Sequence, residues 1–548
     1  MTENIFVAVA WPYANGHLHL GHIAGCYLPA DIFSRYHRIS GNNVLMVSGS
    51  DCHGTPVTIR AESEGISPAE VAQKYHNSFM DSWNGLGIDF DLFTNTMTDN
   101  HRSTTQDIFN SLYKKGYIYP DKMKVAYSPD FDRFLPDRYV VGTCPYCNNL
   151  GARGDQCDEC GQTLDPIELI EPTYLNDGKK YPVEIKDEDH LFLRLSAFGN
   201  DLLKWVEGKD YWRSSVRNFT KAFLDGGLKD RAITRDIDWG IPVPLEGYEK
   251  KRIYVWFEAV IGYLSASKEW ALKTGNPDAW RVFWEDPSSR TYYFIGKDNI
   301  PFHTIIWPAI IRGFGEYNLP YDVPANEFLL LEGRQLSTSR NWAVWVPDYL
   351  EKFSPDPLRY ALASNMPEYG DADFSMREFI RRNNDELVAT YGNLVNRVLS
   401  MLQKNFGGIV PEYQTNDQDG NEIREFADET LLKVGDSISN CHFREGLNHG
   451  AMALASRTNK YLEQKAPWKT VKTDIQATAL TLNNALYVLA TLKTVMFPFL
   501  PFSSNKLHSL LGLQGTVEEN GWTINCPKPG TKLPIPEPLF DKLDENIL

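Results

Sequence analysis

The chain opens on an unbroken apolar run, Ile5-Phe6-Val7-Ala8-Val9-Ala10-Trp11. The run is too short to span a bilayer and follows Glu3 rather than a cationic stretch, so it reads as a strand buried on both faces, not as a leader or an anchor. Turn-forming residues end it at Pro12-Tyr13-Ala14-Asn15-Gly16. A helix is expected from about Leu20 to Ser40, closed by Gly41, with a kink at Pro29. Val44-Leu45-Met46-Val47-Ser48 then forms a second strand and delivers Asp51 to its carboxyl end. Ser67-Pro68-Ala69-Glu70 is a capping box with proline at the first helical position, which predicts a helix to about Gly85, and another helix is expected over 100–115. Arg252–Phe257, Arg290–Ile295 and Glu327–Leu331 are the later strand candidates of a parallel sheet.

Residues 116–225 break this pattern with short strands, turns and a cysteine cluster, and read as an insertion. From about 375 onward the pattern is nearly all helical, interrupted by the linker-like stretch Gln414–Asn421. The fold class expected is therefore α/β, a doubly wound parallel sheet split by an insertion and followed by an all-α bundle. Its expected parts are 1–115, 116–225, 226–333, 334–375 and 376–548, in keeping with three or four domains at roughly 150 residues each. No further domain is expected after about residue 510. With 42% hydrophobic and 13% aromatic residues, the chain excludes disordered and fibrous classes. A formal net charge of −16 argues against non-specific coating of nucleic acid or anionic membrane, while leaving room for a local basic face. Eight cysteines are too few for a disulfide scaffold in a chain of this length, and the protein reads as soluble and cytoplasmic.

Ligands of doubly wound sheets bind at the carboxyl ends of the strands, where the polar segments 13–22, 51–56, 296–303 and 334–340 are expected. His19-Leu20-Gly21-His22 at a helix N-terminus suits a nucleotide triphosphate: imidazoles donate to phosphate oxygens, and glycine admits close approach. Cys144, Cys147, Cys157 and Cys160 form two CxxC pairs with metal-ligand spacing. Four thiolates leave no open position, so the metal, zinc, would be structural.

Trp11 to His22 resembles the HIGH segment of class I aminoacyl-tRNA synthetases, and further segments resemble the methionine-specific branch of that family in order along the chain. Asp51-Cys52-His53-Gly54-Thr55-Pro56 is similar to its DxHGTP, and Ile233-Thr234-Arg235-Asp236 with Trp239-Gly240 to its SRD…G strand. Tyr254 to Tyr263 resembles YVWxDAxIGY, and Phe294 to Ala309 resembles FIGKDxxxFHxxxWPA. The resemblance implies a Rossmann-type catalytic domain, a zinc knuckle in the insertion and an anticodon-binding bundle. It also implies ATP-dependent activation of L-methionine and transfer to tRNA(Met), initiator included, with Mg2+ accompanying ATP.

By the same resemblance His19, His22, Asp51, Arg235 and Lys297 are catalytic, with Arg235 steering Asp51 toward the methionine ammonium. ATP would meet Tyr13, Asn15, Gly21, His22, Gly296, Lys297 and Asp298, together with the loop residues Arg334, Gln335, Leu336, Ser337, Thr338, Ser339 and Arg340. The methionine pocket would be lined by Trp11, Tyr13, Asp51, Trp256, Ala259, Val260, Ile261, Tyr263, Phe302, His303 and Trp307, of which Tyr13, Trp256 and His303 carry most weight. Apolar rings with one or two polar groups suit a thioether. Trp11 and Val260 depart from the Leu and Pro of many relatives. Asn393, Arg397 and Trp468 match the anticodon readers. A monomer without a membrane partner is expected.

One segment departs from the family pattern. Where KMSKS is expected the chain reads Arg334-Gln335-Leu336-Ser337-Thr338-Ser339-Arg340, with Gln335 and Thr338 at the two lysine positions. A lost charge donor can cost roughly 3–4 kcal/mol of transition-state stabilisation. Either Arg334 and Arg340 compensate, or the chain is a weakened tRNA-binding regulator. A sister synthetase of the Ile, Val, Leu or Cys type is a third reading, set against by the short insertion and the closed four-cysteine cluster.

Overall fold

In the computed structural model, which describes residues 2–154, 157, 159–160, 164–176, 178–337, 341–413 and 417–544, the opening apolar run lies at the centre of a five-stranded sheet. Its strands β1 (Asn4–Val9), β2 (Asn43–Ser50), β3 (Leu92–Asn95), β4 (Arg290–Gly296) and β5 (Ala325–Asn326) are ordered β5-β4-β1-β2-β3. Every pairing is parallel; β1 sets Val9 against Phe294 on one side and Ala8 against Val47 on the other. Because successive strand side chains point to opposite faces, Ile5, Val7 and Val9 enter one apolar core, and Phe6 and Ala8 enter the other. The strand order reverses at β1, so its carboxyl end is where a crevice forms.

Helices α1 (Leu28–Ile39), α2 (Pro68–Leu86), α3 (Asp99–Lys114) and α4 (Val255–Lys273) flank the sheet. The capping box of α2 forms as expected: Ser67 Oγ accepts the Glu70 N–H (3.3 Å) and Glu70 accepts the Ser67 N–H (2.9 Å). The kink expected at Pro29 takes another form. The helix runs on from Leu20 through a π-helical turn, Ile23–Tyr27, into α1, and the widened turn just before Pro29 accommodates the proline.

Two expected strands differ. Only Arg252–Ile253 of the run 252–257 is extended, paired antiparallel with Thr234–Arg235, and α4 starts at Val255. That segment is buried on nearly every side of the helix, so its continuous apolar pattern carries no helical period to read. Leu329–Leu331 lies in a separate small sheet, between Ala372–Phe374 and Arg334–Gln335, and the two-residue β5 takes the main-sheet position instead. The linker-like stretch is also shorter than expected: Asp417 caps a helix, Gln418–Ser439, by accepting the Gly420 N–H, while Gln414–Asn416 lie outside the described residues.

The insertion holds two antiparallel sheets, one built on Ile118–Ser128 and Glu184–Leu193, the other on Val140–Thr143 and Ile170–Asn176. No helix among the described residues is long and apolar enough to cross a membrane. The core under α1 continues without a break into the helical part. A guanidinium sits at that junction. Arg359 (1% exposed) donates to Asp31 Oδ2 (2.6 Å), Leu86 O (3.2 Å), Pro498 O (2.9 Å) and Phe499 O (2.8 Å). Removing it leaves three buried carbonyls without this donor and Asp31 with Arg35 as its one remaining cation, so Arg359→Met is expected to lose about 3–5 kcal/mol in urea denaturation.

Candidate active site and metal centre

His19 is extended (φ −116°, ψ 168°) and caps the turn that follows β1. Its Nδ1 accepts the Gly21 N–H (3.1 Å), and His22 Nδ1 accepts the His19 N–H (3.2 Å). This is a capping box in which two imidazoles replace the usual hydroxyl and carboxylate. With both Nδ1 atoms accepting, both neutral rings carry their proton on Nε2. Burial pushes the His19 imidazolium down to about 4, and burial together with His19 holds His22 well below its usual value. The rings stack at 3.8 Å, giving two neutral, pre-aimed N–H donors at the crevice.

The loop after the small sheet crosses over them. A Cβ on Gly21 would lie 2.8 Å from Leu336 Cδ1, so Leu336 rests on Gly21. The main chain of Leu18–Leu20 pairs with Val344–Val346, and the Trp345 ring lies 6.0 Å from His19. Ser337 and Trp342 pair antiparallel, and Arg334 stacks on the Trp342 ring at 5.4 Å. Gln335 is exposed; Thr338, Ser339 and Arg340 lie outside the described residues. Asn15 lies half-buried in the turn after β1. Lys297 follows Gly296 at the end of β4, held by Glu327 and Asp371 at 2.8 Å each, while Asp298 is exposed beside it.

Beyond the end of β1 the pairing with β2 resumes. Asp51 N donates to Pro12 O and Ala14 N to Asp51 O, both at 2.8 Å, which brings Tyr13 beside Asp51. Asp51 is 2% exposed, and its Oδ1 has no hydrogen-bond partner. Burial, and the charge of Glu258, push its carboxyl well above the usual carboxylate range. The Arg235 expectation is corrected here. Arg235 meets Asp137 of the insertion (3.6 Å) and the Tyr254 ring (4.0 Å), not Asp51; the insertion reaches this segment, Leu191 N donating to Thr234 Oγ1 at 3.1 Å, and supplies the carboxylate.

Tyr13 meets Trp256 edge-on at 5.9 Å, and Trp256 stacks on Phe302 at 4.1 Å. His303 Nδ1 lies 2.9 Å from Asn299 O, a carbonyl that only accepts, so the proton is on Nδ1 and Nε2 accepts the Tyr263 O–H at 2.7 Å. Burial pushes His303 down to about 4, which keeps it neutral. Trp11 occupies space that two glycines leave open: a Cβ would come within 2.5 Å of its ring at Gly49 and 2.7 Å at Gly262. Ala259, Val260 and Ile261 are buried in α4. Trp307 lies in the same core, its indole donating to Tyr293 Oη at 2.9 Å.

Sequence reasoning missed Glu258, His101 and Trp345 as neighbours of these groups. Glu258 had a signal, as the one charge inside an apolar run, since buried charges persist only with partners. It is fully buried, with Oε1 2.9 Å from His53 Nδ1 and Oε2 4.0 Å from His101 Nε2.

In the insertion the Sγ atoms of Cys144, Cys147, Cys157 and Cys160 all lie within 4.8 Å of one another, with 3.8 Å between Cys144 and Cys160 and 3.6 Å between Cys147 and Cys157. A tetrahedron with metal–sulfur bonds near 2.3 Å has edges of about 3.8 Å, whereas a disulfide needs about 2.05 Å. The thiols therefore fit a tetrahedral metal ion. In the helical part, Arg397 lies over the Trp468 ring at 5.2 Å, and Asn393 is exposed one turn earlier on the same helix, Asn393–Phe406. Trp468 is 41% exposed, presented by Ala466, whose φ of 43° ends the preceding helix, and by Pro467.

A family model described as tRNA synthetases class I (M) matches residues 5–399, and one described as the anticodon binding domain of methionyl tRNA ligase matches 410–547. A methionine–tRNA ligase of Dehalococcoides mccartyi is 55% identical over all of this chain and 98% of its own length. That of Thermomicrobium roseum is 49% identical, also over all of this chain and 98% of its own length. The solved Mycobacterium tuberculosis methionyl-tRNA synthetase in complex with methionyl-adenylate superposes with a TM-score of 0.81 at 26% identity, covering 98% of this chain and 100% of that one. Sheet order, the paired imidazoles, the thiol tetrahedron and these likenesses agree, and the chain belongs to the methionyl-tRNA synthetases of class I.

Proposed function

We propose that the chain activates L-methionine with ATP and transfers it to tRNA(Met), initiator included, with the labour divided as follows. The methionine carboxylate attacks the α-phosphorus of ATP, the bond to the β-phosphate breaks, and pyrophosphate leaves. A ribose hydroxyl of the terminal adenosine of tRNA then attacks the adenylate carbonyl, and AMP departs. Positioning and charge stabilisation carry the first step. His19 and His22 donate their Nε2 protons to phosphate oxygens. Adenine lies on Gly21, displacing Leu336, between Tyr13–Asn15 and Gly296, while Asp298 takes the ribose. ATP binds as its magnesium complex, with Lys297 and Arg334 nearest to the departing pyrophosphate. Asp51 accepts the methionine ammonium, and the thioether enters among Trp11, Tyr13, Trp256, Tyr263, Phe302 and His303. Arg235 acts on Asp51 only at a distance, since it is engaged by Asp137.

The observation that carries this reading is the resumed pairing of Tyr13 with Asp51, which sets an acid with an open oxygen beside the HLGH turn. Methionine-dependent ATP–pyrophosphate exchange tests it. Exchange with methionine and not with leucine, isoleucine or cysteine is expected, and Arg334→Ala is expected to slow it at least tenfold. Absence of exchange in a protein that still binds tRNA would favour the regulator reading, which the replacement of both loop lysines by Gln335 and Thr338 motivates.

One structural zinc ion per chain, held by the four cysteines, would staple a module with a small apolar core. Cys144→Ser is expected to lose zinc by metal analysis and to raise amide hydrogen exchange across 140–176, leaving exchange across the central sheet unchanged. Asn393 and Arg397 would meet anticodon base edges, and Trp468 would stack on a base. A stack is worth about 1–3 kcal/mol, so Trp468→Ala is expected to cut kcat/KM for tRNA charging roughly 5- to 150-fold without altering ATP–pyrophosphate exchange. The protein would work in the cytoplasm as a monomer, with 1–115 and 226–333 catalytic, 116–225 connective, 334–375 carrying the loop, and 376–548 reading tRNA.

A further inference from the structure

Behind the methionine pocket lies a set of buried polar groups that the reaction above does not use. Glu258, in the first turn of α4, is 0% exposed; its Oε1 meets His53 Nδ1 at 2.9 Å, and its Oε2 has no hydrogen-bond partner. His101 Nε2 lies 4.0 Å from Oε2. That imidazole offers no relief. Ser265 Oγ donates to Gly262 O, so it accepts from His101 Nδ1–H at 2.8 Å, and His101 Nε2 is left as a second acceptor facing an acceptor. Burial pushes His101 down to about 3, so it stays neutral.

Asp51 joins this set. The groups facing it are Cys52 and His53 from its own loop, Tyr13 from the end of β1, Glu258 and Tyr263 from α4, and His101 from α3 through His53 and Glu258. None of them is a lysine or arginine, and Arg235 is engaged by Asp137. Two buried carboxyls thus share one region whose one possible cation among the groups facing them is the His53 imidazole, and that ring is spent on Glu258 at 2.9 Å, which leaves Asp51 without a counter-ion from the chain. Buried like charges do not both ionise without a counter-ion.

We propose that the empty pocket carries one proton on its acid pair, on the carboxyl of Asp51, and releases it to solvent when methionine binds, with Glu258 as the positioning residue that sets this exchange. The inference rests on the reading of Asp51 as the partner of the methionine ammonium. The balance is simple: the O–H bond of the Asp51 carboxyl breaks, its proton goes to bulk water, and the resulting carboxylate accepts from an ammonium that keeps its three protons. The ammonium is the counter-ion that the chain itself does not supply. The sign follows from competition between the proton and the ammonium. Below the value at which empty Asp51 titrates, methionine affinity rises with pH by up to tenfold per unit, and above that value it is flat.

The test is calorimetric titration of methionine into the full-length, zinc-loaded protein at pH 7, in phosphate and in Tris, whose ionisation enthalpies differ. The expected result is release of up to one proton per methionine in the wild type and less than half of that in Glu258→Gln, which keeps an acceptor for His53. No release by the wild type, or equal release by the variant, would overturn the proposal. Should Glu258→Gln fail to fold, the wild-type methionine Kd between pH 6 and 8 decides: tightening with pH supports the proposal and a flat profile refutes it. Asp51→Asn separates the two levels. If it binds methionine as tightly as the wild type, the ammonium reading itself fails. If it loses methionine while Glu258→Gln leaves the proton count unchanged, only the exchange fails.

Discussion

The guanidinium of Arg359 holds the two halves of the molecule in one frame. Its donors are spent on one carboxylate and three backbone carbonyls, drawn from α1, from the end of α2 and from the turn at Pro498–Phe499. Asp31 is in turn gripped by Arg35 at 2.9 Å and accepts the Asp89 N–H at 3.1 Å, so the pair is satisfied on every side that burial exposes to cost. Asp31 stands on the helix that begins, through one wide turn, at the HLGH segment. The orientation of the imidazoles and the docking of the helical part are therefore fixed by the same short stretch of chain. The apolar core that runs between them adds strength, and the ion pair adds register.

The site that this frame supports is electrically spare. His19, His22 and His303 are neutral with assigned tautomers, Lys297 is flanked by two acids, and both loop lysine positions lack charge. The groups gathered there are mostly dipoles, and in the proposed reaction the full charges arrive on ATP, methionine and tRNA. Pre-oriented dipoles cost no reorganisation when charge develops, which is how a chain with neutral residues at Gln335 and Thr338 stays compatible with phosphoryl chemistry.

Much of this was legible in the sequence where a local rule had no competitor. The Ser67–Glu70 box, the cysteine spacing and the strand at 5–9 each follow from chemistry confined to a few residues. Legibility failed where burial erased periodicity. The segment from Tyr254 to Tyr263 is buried around nearly its whole circumference and apolar but for Glu258, so strand and helix are indistinguishable until its length is known. It failed again where long-range partners decide: Arg235 turns to Asp137, a choice that belongs to the insertion and not to its own strand. The wide helical turns after β1 and β4, Ile23–Tyr27 and Phe302–Ile306, each sit a few residues before a proline, Pro29 and Pro308. The prolines were visible in the sequence, and the turn widening that accommodates them was not.

Trp11 fills its place only because Gly49 and Gly262 carry no side chain there. The three positions lie just after β1, in β2 and in α4, far apart along the chain, yet they meet at one ring. A side chain at 262 needs a smaller residue at 11, whereas a side chain at 49 would also strike the Thr94 carbonyl, 2.7 Å from a Cβ there. Substitutions at 11 and 262 are therefore coupled, while 49 is held to glycine by the main chain whatever stands at 11.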